Sequence, residues 1–368
     1  MQALENLTLA FFLAATIVQL AYWLGVFSRL ALYRQPPPAQ QPQEPISVIV
    51  CARNEAENLQ KNLPSLLAQD YPDFEVIVVN DASTDKTLSV LLDFQRKNPK
   101  LRVVNLTTKI NRGKKAALSK GIEAANFDLL FLTDADCRPA SDQWLSFMQP
   151  FVKGRVKVGL GYSPYLRATG VLNAFIRFET VYSAIQYFSF AFAGLPYMGV
   201  GRNLAYRKSL FVQHGGFATH TEVTSGDDDL FVNEVADSRN TRVVLSPDTF
   251  VFSTPKSSWR GYYRQKTRHL STGARYKLKH KLLLGLISGS HFGHYMSGIA
   301  LAFFFELEMI VIINYLARMG VVSLMYYWIL RKLRDPWLLP WVPLFDALYI
   351  LYYLLFTPAL FKTKEPWT

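Results

Sequence analysis

Twenty-three consecutive residues, Asn6 to Ser28, carry no charge, and a helix needs ~20 largely apolar residues to cross a bilayer core. Such a run has few homes in water, so this end of the chain is expected in a membrane. Arg29 and Arg34 follow it, and by the positive-inside rule they put the next segment in the cytoplasm. A cleaved signal peptide would carry positive charge before the apolar run and small residues at a cleavage site. Here Glu5 precedes the run without any Lys or Arg, and bulky Phe27 and Leu30 close it. Residues 1–34 are expected to form a membrane anchor. Residues 35–45, with five prolines, are expected to form an extended, semi-rigid spacer that holds the next domain off the bilayer.

The other end, residues 282–368, is apolar again. Leu282–Phe305 has no Asp, Glu, Lys or Arg, Leu307–Leu330 has only Glu308 and Arg318, and Pro336–Phe361 only Asp346. Three apolar segments follow, the first diluted by Gly, Ser, His291 and His294 and so expected to be interfacial or buried in a bundle. The two histidines, one turn apart, read as bundle residues in preference to a metal pair. Three crossings would leave Arg331, Lys332 and Arg334 in the cytoplasm but Lys362 and Lys364 outside; a re-entrant last segment would bring these back, and both arrangements stay open. Thr180–Gly201 is also uncharged, but Gln186, Pro196 and three glycines make it a buried or membrane-grazing helix followed by a loop. With 50% apolar and 18% charged residues, disorder is excluded. Two cysteines, Cys51 and Cys137, make no disulfide scaffold and fit a reducing compartment. The expectation is a multi-pass protein of the cell (inner) membrane with its middle in the cytoplasm.

Between residues 46 and 255 the period changes. Ser47–Ala52, Glu75–Asn80, Leu101–Leu106 and Asp128–Thr133 read as short apolar strands. Each is followed by a helix, over 56–69, 85–98, 114–125 and 141–152. That alternation gives an α/β domain with a mainly parallel sheet covered on both faces, and such sheets bind ligands at the carboxyl ends of their strands. Acids stand at those ends: Asp81 after the second strand, Asp134 and Asp136 after the fourth, and Asp227–Asp229 opening a later helix. Singly, Asp81 and Asp85 read as helix caps and the triple Asp as a macrodipole partner. Gathered on one edge, they would repel one another unless a cation or hydrogen-bonding ligand is shared. Asp-X-Asp suits a hard divalent ion, Mg²⁺ or Mn²⁺, bridging to substrate phosphates. Arg112-Gly-Lys-Lys115 opens the helix after the third strand, where amide groups and Lys114 are placed to meet a phosphate. There is neither a P-loop nor a dinucleotide fingerprint.

These motifs resemble glycosyltransferase family 2 in its membrane-integrated form, over about Ile46 to His269. The resemblance implies the GT-A fold and a metal-dependent, inverting transfer of a hexose from a nucleotide-diphosphate sugar, with a lean to UDP-sugars. Ala52-Arg-Asn54-Glu55 resembles the opening nucleotide-binding motif. Asn80-Asp81-Ala-Ser-Thr-Asp85 resembles Asp-Asp-x-Ser-x-Asp, with Asp81 at the base-binding carboxylate and Asn80 replacing the usual first Asp. Asp134-Ala-Asp136 resembles the metal-binding pair, and Gly201–Arg207 the acceptor-side segment. Ser225-Gly-Asp227 aligns with the Thr-Glu-Asp type of motif, making Asp227 the general base, with Gly226 where Glu is common; the choice among Asp227, Asp228 and Asp229 stays open. Gln265-Lys-Thr-Arg268-His269 resembles Gln-x-x-Arg-Trp, with Gln265 and Arg268 expected at the diphosphate and His269 in place of the Trp that stacks on a growing polymer.

Lys256–Lys281 holds nine Lys or Arg and no acid, interleaved with aromatics, directly before the apolar end. Beside a membrane this reads as an interfacial helix on anionic lipid, not as nucleic-acid binding. The leading expectation is a single sugar transfer to a lipid-linked or membrane-delivered hydroxyl, on a lipid or glycan. A processive polysaccharide synthase and a polyprenyl-phosphate sugar synthase are the same-class alternatives. A noncatalytic membrane scaffold is the alternative of another class.

Overall fold

The computed structural model describes residues 1–37, 42–110 and 113–361. Part of the spacer, Arg112, Lys362 and Lys364 therefore lie outside the described residues. Among the described residues nine strands form two sheets: β1 (Ile46–Ala52), β2 (Phe74–Asp81), β3 (Leu101–Leu106), β4 (Leu129–Asp134), β5 (Cys137–Pro139), β6 (Val158–Gly161), β7 (Leu204–Arg207), β8 (Thr241–Val244) and β9 (Val251–Ser253). The large sheet runs β3-β2-β1-β4-β7-β6-β8. β3, β2, β1 and β4 are parallel, β7 is antiparallel to both neighbours, and β6 and β8 pair in parallel. β5 and β9 form a small antiparallel clip.

Side chains alternate across a strand, which explains why the runs Val48–Val50 and Val76–Val79 are apolar on both faces. Val48, Val50, Val76 and Val78 pack into one core with Leu59, Leu63 and Leu66 of the Ala56–Leu67 helix. Ile49, Ile77 and Val79 pack into a second core with Leu118 and Ile122 of the Lys115–Ala124 helix. This second core does not stop at the domain. It continues through the Val171–Phe192 helix into Trp23, Tyr326 and Phe345 of the apolar helices. The expected Thr180–Gly201 feature is thus the buried end of a 22-residue helix and its loop. Arg177 forms a bidentate ion pair with Asp335, and the tilted rings of Tyr33 and Phe192 lie 4.3 Å apart, so the α/β domain is seated on the apolar helices.

Among the described residues three helical stretches are long and apolar enough to cross a membrane: Gln2–Leu32, Glu308–Lys332 and Pro336–Ala359. The 27-residue helix Leu278–Phe304 is long enough but diluted by Gly, Ser and His, and falls outside that set. It packs along the first helix through polar contacts. Gln19 donates to Ser290 Oγ (2.8 Å), and Thr16 Oγ1 lies 2.8 Å from His294 Nδ1. Arg318, fully buried, donates to Asp346 (2.7 Å) and Gln19 (3.2 Å), while the Tyr295 hydroxyl donates to Asp346 at 2.7 Å. His291 Nε2 lies 3.3 Å from Asp346, so both histidines are bundle residues with protein partners.

Candidate active site

The parallel register brings the strand ends level. Cys51 of β1 lies opposite Asp134 of β4, and Ala52 opposite Asn80 of β2. A cavity of about 1070 Å³ opens at this edge. Ala52, Asn54, Glu55, Asp81, Lys114, Asp134, Asp136, Asp227, Asp228, Gln265, Arg268 and His269 all line it, although they span more than two hundred positions of sequence.

At one end, Asn54 adopts φ +56° and its side-chain oxygen accepts from the Thr84 amide (2.8 Å), while its own amide donates to Ser83 Oγ (3.0 Å). Asp85 accepts from the amides of Thr87 (2.9 Å) and Ala56 (3.3 Å). Asn54 and Asp85 therefore knit together the loops after β1 and β2, and Asp85 has the structural role its local pattern suggests. Asp81 stays on the cavity wall with Lys109 Nζ at 3.2 Å. Asn80 is buried away from it, donating to Asn105 Oδ1 at 2.7 Å.

Asp134, Asp136 and Cys137 bring ligand atoms within 4.8 Å of one another. Burial and then the Asp134 charge raise the Asp136 carboxyl above its ordinary value, and burial keeps the Cys137 thiol protonated. Burial also works against an ionised Asp134, but the Lys114 ammonium bonded to it, with Arg202 and Arg268 behind, holds its carboxyl below the usual range. Two carboxylates pushed apart in this way, one already holding a cation, are a hard-oxygen donor set that fits Mg²⁺ or Mn²⁺.

Lys114 also reaches Asp227 Oδ2, at 3.7 Å. The two following acids are occupied. Asp228 accepts from the amides of Gly201 (2.7 Å) and Asp229 (2.8 Å), capping the Asp229–Val235 helix. Burial, then the charges of Asp227 and Asp229, pushes its carboxyl up to about 8. Asp229 accepts from the hydroxyls of Thr272 and Tyr276 (the latter 2.8 Å), tying the loop to the segment before the Leu278–Phe304 helix. Asp227 is the member of the triple that meets Lys114. Its loop is braced from below. Lys115 Nζ donates to the carbonyls of His220 (2.6 Å) and Val223 (3.0 Å), and His220 Nε2 lies 3.0 Å from the Gly226 carbonyl oxygen. Gly113, at φ +94°, comes so close that a Cβ there would sit 2.3 Å from the Thr224 carbonyl oxygen, and Gly226 takes φ +95°. Glycine at 226 in place of the usual Glu meets this backbone requirement.

The basic stretch forms the helix Trp259–Leu270, capped by Ser258. Trp259, Arg260, Tyr263 and Arg264 face outward, while Gln265, Lys266, Arg268 and His269 face the cavity. Gln265 donates to the Tyr165 hydroxyl at 3.2 Å. The protein surrounding His269, then the cations Arg268, Lys266, Arg202 and Lys256, holds its imidazole well below its ordinary value, although the ring is open to the cavity. Of the acceptor-like segment only Gly201 and Arg202 line the cavity; Arg207 sits at the far end of β7, bonded to Glu44 at 2.6 Å.

Residue patterns miss several walls of the cavity. Arg202 stacks over the Tyr165 ring at 4.3 Å, and Glu179 pairs with Lys266 at 2.5 Å. The cavity then continues between the apolar helices, where Tyr182, Ser288, Tyr349, Tyr352, Tyr353 and Phe356 line it. Glu179 inside a largely apolar helix was an available signal, since a buried carboxylate needs a partner.

The family model for glycosyl transferase family 2 matches residues 47–211. Poly-beta-1,6-N-acetyl-D-glucosamine synthase of Staphylococcus epidermidis is 35% identical over 127 residues, which cover 34% of this chain and 29% of that protein. Beta-monoglucosyldiacylglycerol synthase of Nostoc sp. is 30% identical over 149 residues, 40% of this chain and 31% of the relative. The chain thus spans under a third of the length of these two relatives. Among solved structures, mannosyltransferase PcManGT from Pyrobaculum calidifontis, in complex with GDP-Man and Mn²⁺, superposes with a TM-score of 0.62 at 20% identity. The match covers 95% of this chain and 99% of that one and shows a shared fold.

Proposed function

We propose that this chain, which belongs to glycosyl transferase family 2 through residues 47–211, transfers a sugar from a nucleotide-diphosphate sugar to a hydroxyl acceptor carried in the membrane. One observation carries the reading. A single cavity has the strand-end acids at one end and the tyrosines of the apolar helices at the other. A water-soluble donor and a membrane-borne acceptor can meet in it without either leaving its own medium.

In this reading Asp81 orients the base and ribose, and the UDP donor follows the family resemblance. Asp134 and Asp136 would hold Mg²⁺ or Mn²⁺, which would supply positive charge to the departing diphosphate. Lys114 and Arg268 add fixed positive charge on the same side. Asp227 takes the proton from the acceptor hydroxyl as its oxygen forms the new bond to the anomeric carbon. The diphosphate leaves from the opposite face with the bonding pair, and the configuration inverts. An alcohol needs such a base, worth ~10²–10⁴-fold; a phosphate acceptor, already ionised, does not, and would meet the Asp227 carboxylate as a like charge. His269 in place of Trp supports single transfer. A cytoplasmic active site is supported by Lys332, which donates to the carbonyls of Ala31 and Tyr33 and so puts the basic ends of two apolar helices together. The relative named for glucosyldiacylglycerol synthesis is consistent with a lipid acceptor.

The test is the intact chain in lipid nanodiscs with labelled UDP-sugars and a membrane-lipid extract. Label entering the organic phase as a single adduct is expected. A ladder of products would replace this reading with processive synthesis, and label confined to free sugar would remove the acceptor assignment.

A further inference from the structure

A second cleft, of about 650 Å³, shares no lining residue with the first. It lies where the Gln2–Leu32 helix hands over to the sheet's edge strand β8. Tyr33 and Pro36 form one wall, Phe192 the floor, and Thr241–Val243 of β8 the other wall. The tilted Tyr33–Phe192 ring contact and the Lys332 bonds to Ala31 and Tyr33 fix one side. The Gln35 side-chain oxygen fixes the other, accepting from the Leu245 amide at 2.8 Å.

Among the described residues two charges line this cleft, Lys153 and Arg242, and no acid does. Arg242 donates to the Thr241 carbonyl at 2.9 Å, and neither cation pairs with a carboxylate among the described residues. The height in the membrane is set by sequence. Leu32, 73% exposed, ends an apolar helix, and the cleft begins one residue later. That level is where lipid phosphates stand, and cations there gain from anionic lipid.

We propose that this cleft seats the head group of an anionic phospholipid, with its phosphate between Lys153 and Arg242 and its glycerol against Tyr33 and Phe192. A soluble phosphate shares the charge but has nothing to place on the aromatic floor. The occupant also ties the first membrane helix to the edge of the catalytic sheet.

The test is native mass spectrometry of the intact chain titrated with phosphatidylglycerol or phosphatidylcholine. Preferential retention of phosphatidylglycerol is expected. The Lys153→Gln/Arg242→Gln double variant should lose it roughly thirtyfold, two cations at ~1 kcal/mol each, while the equal charge change Lys61→Gln/Lys97→Gln leaves it unchanged. Millimolar inorganic phosphate should not displace the lipid. Equal retention of both lipids, equal loss in both double variants, or displacement by phosphate would each overturn the proposal. None of these readouts involves sugar transfer, so their failure and the failure of the proposed activity are separate results.

Discussion

The two ends of the large cavity are built on opposite principles. At the donor end, functional side chains stand on loops that leave a sheet buried on both faces, and backbone amides fix them. Asp228 and Asp85 each accept two such bonds. At the membrane end the walls are tyrosines on helices, held by side-chain pairs such as Arg318–Asp346 and Lys266–Glu179. Water can solvate the charges of the first end, so acids crowd there around a cation. Lipid cannot solvate those of the second, so each charge is matched within the bundle. The strand-end acids and the membrane-end wall can therefore be altered separately.

The sharpest way to break the comparison is at the donor end. Asp227→Asn should lower turnover about 10²–10⁴-fold with donor affinity intact, read from initial rates and calorimetry of the same preparation. At the membrane end, Asp346→Asn leaves Arg318 without its counter-charge. It should cost about 3–5 kcal/mol of stability, seen as a lower melting temperature in detergent, and Arg318→Met/Asp346→Leu should recover much of it. Lys115→Met should loosen the loop that carries Asp227 and lower kcat by up to about 10²-fold. The KM for donor should hold, with partial recovery in Lys115→Arg; a change confined to melting temperature would make the brace purely structural.

The smallest effect is a slope with pH. Folded Asp228 keeps its proton up to about 8, whereas an unfolded chain loses it near the ordinary 3.8. Through that window the native state binds more protons than the unfolded state, so stability falls as pH rises. Asp228→Asn should flatten this part of a melting-temperature profile.

Much of the donor end was legible because its signals are local. A run such as Val76–Val79 followed by Asn80-Asp81 marks both a strand and its carboxyl end, and the sheet's register then gathers acids from separate loops. Assigning Asp228 to a helix cap was not legible. That choice depends on the approach of Gly201, 27 positions away. The seating of the α/β domain on the apolar helices was equally hidden, since the proline-rich spacer gave a stronger local signal than the single pair Arg177–Asp335. The tyrosine wall was hidden by composition: in an apolar helix, an aromatic that lines a chamber and one that faces lipid look alike.

The central claim is that Asp134 and Asp136 share a divalent cation with a nucleotide diphosphate at the sheet's edge. Isothermal titration of the intact chain with UDP and GDP, with and without Mn²⁺, tests it directly. The account predicts binding of a nucleotide diphosphate that requires Mn²⁺ and disappears in Asp134→Ala/Asp136→Ala while the fold, by circular dichroism, persists. Binding that ignores the metal, or survives loss of both carboxylates, would contradict it.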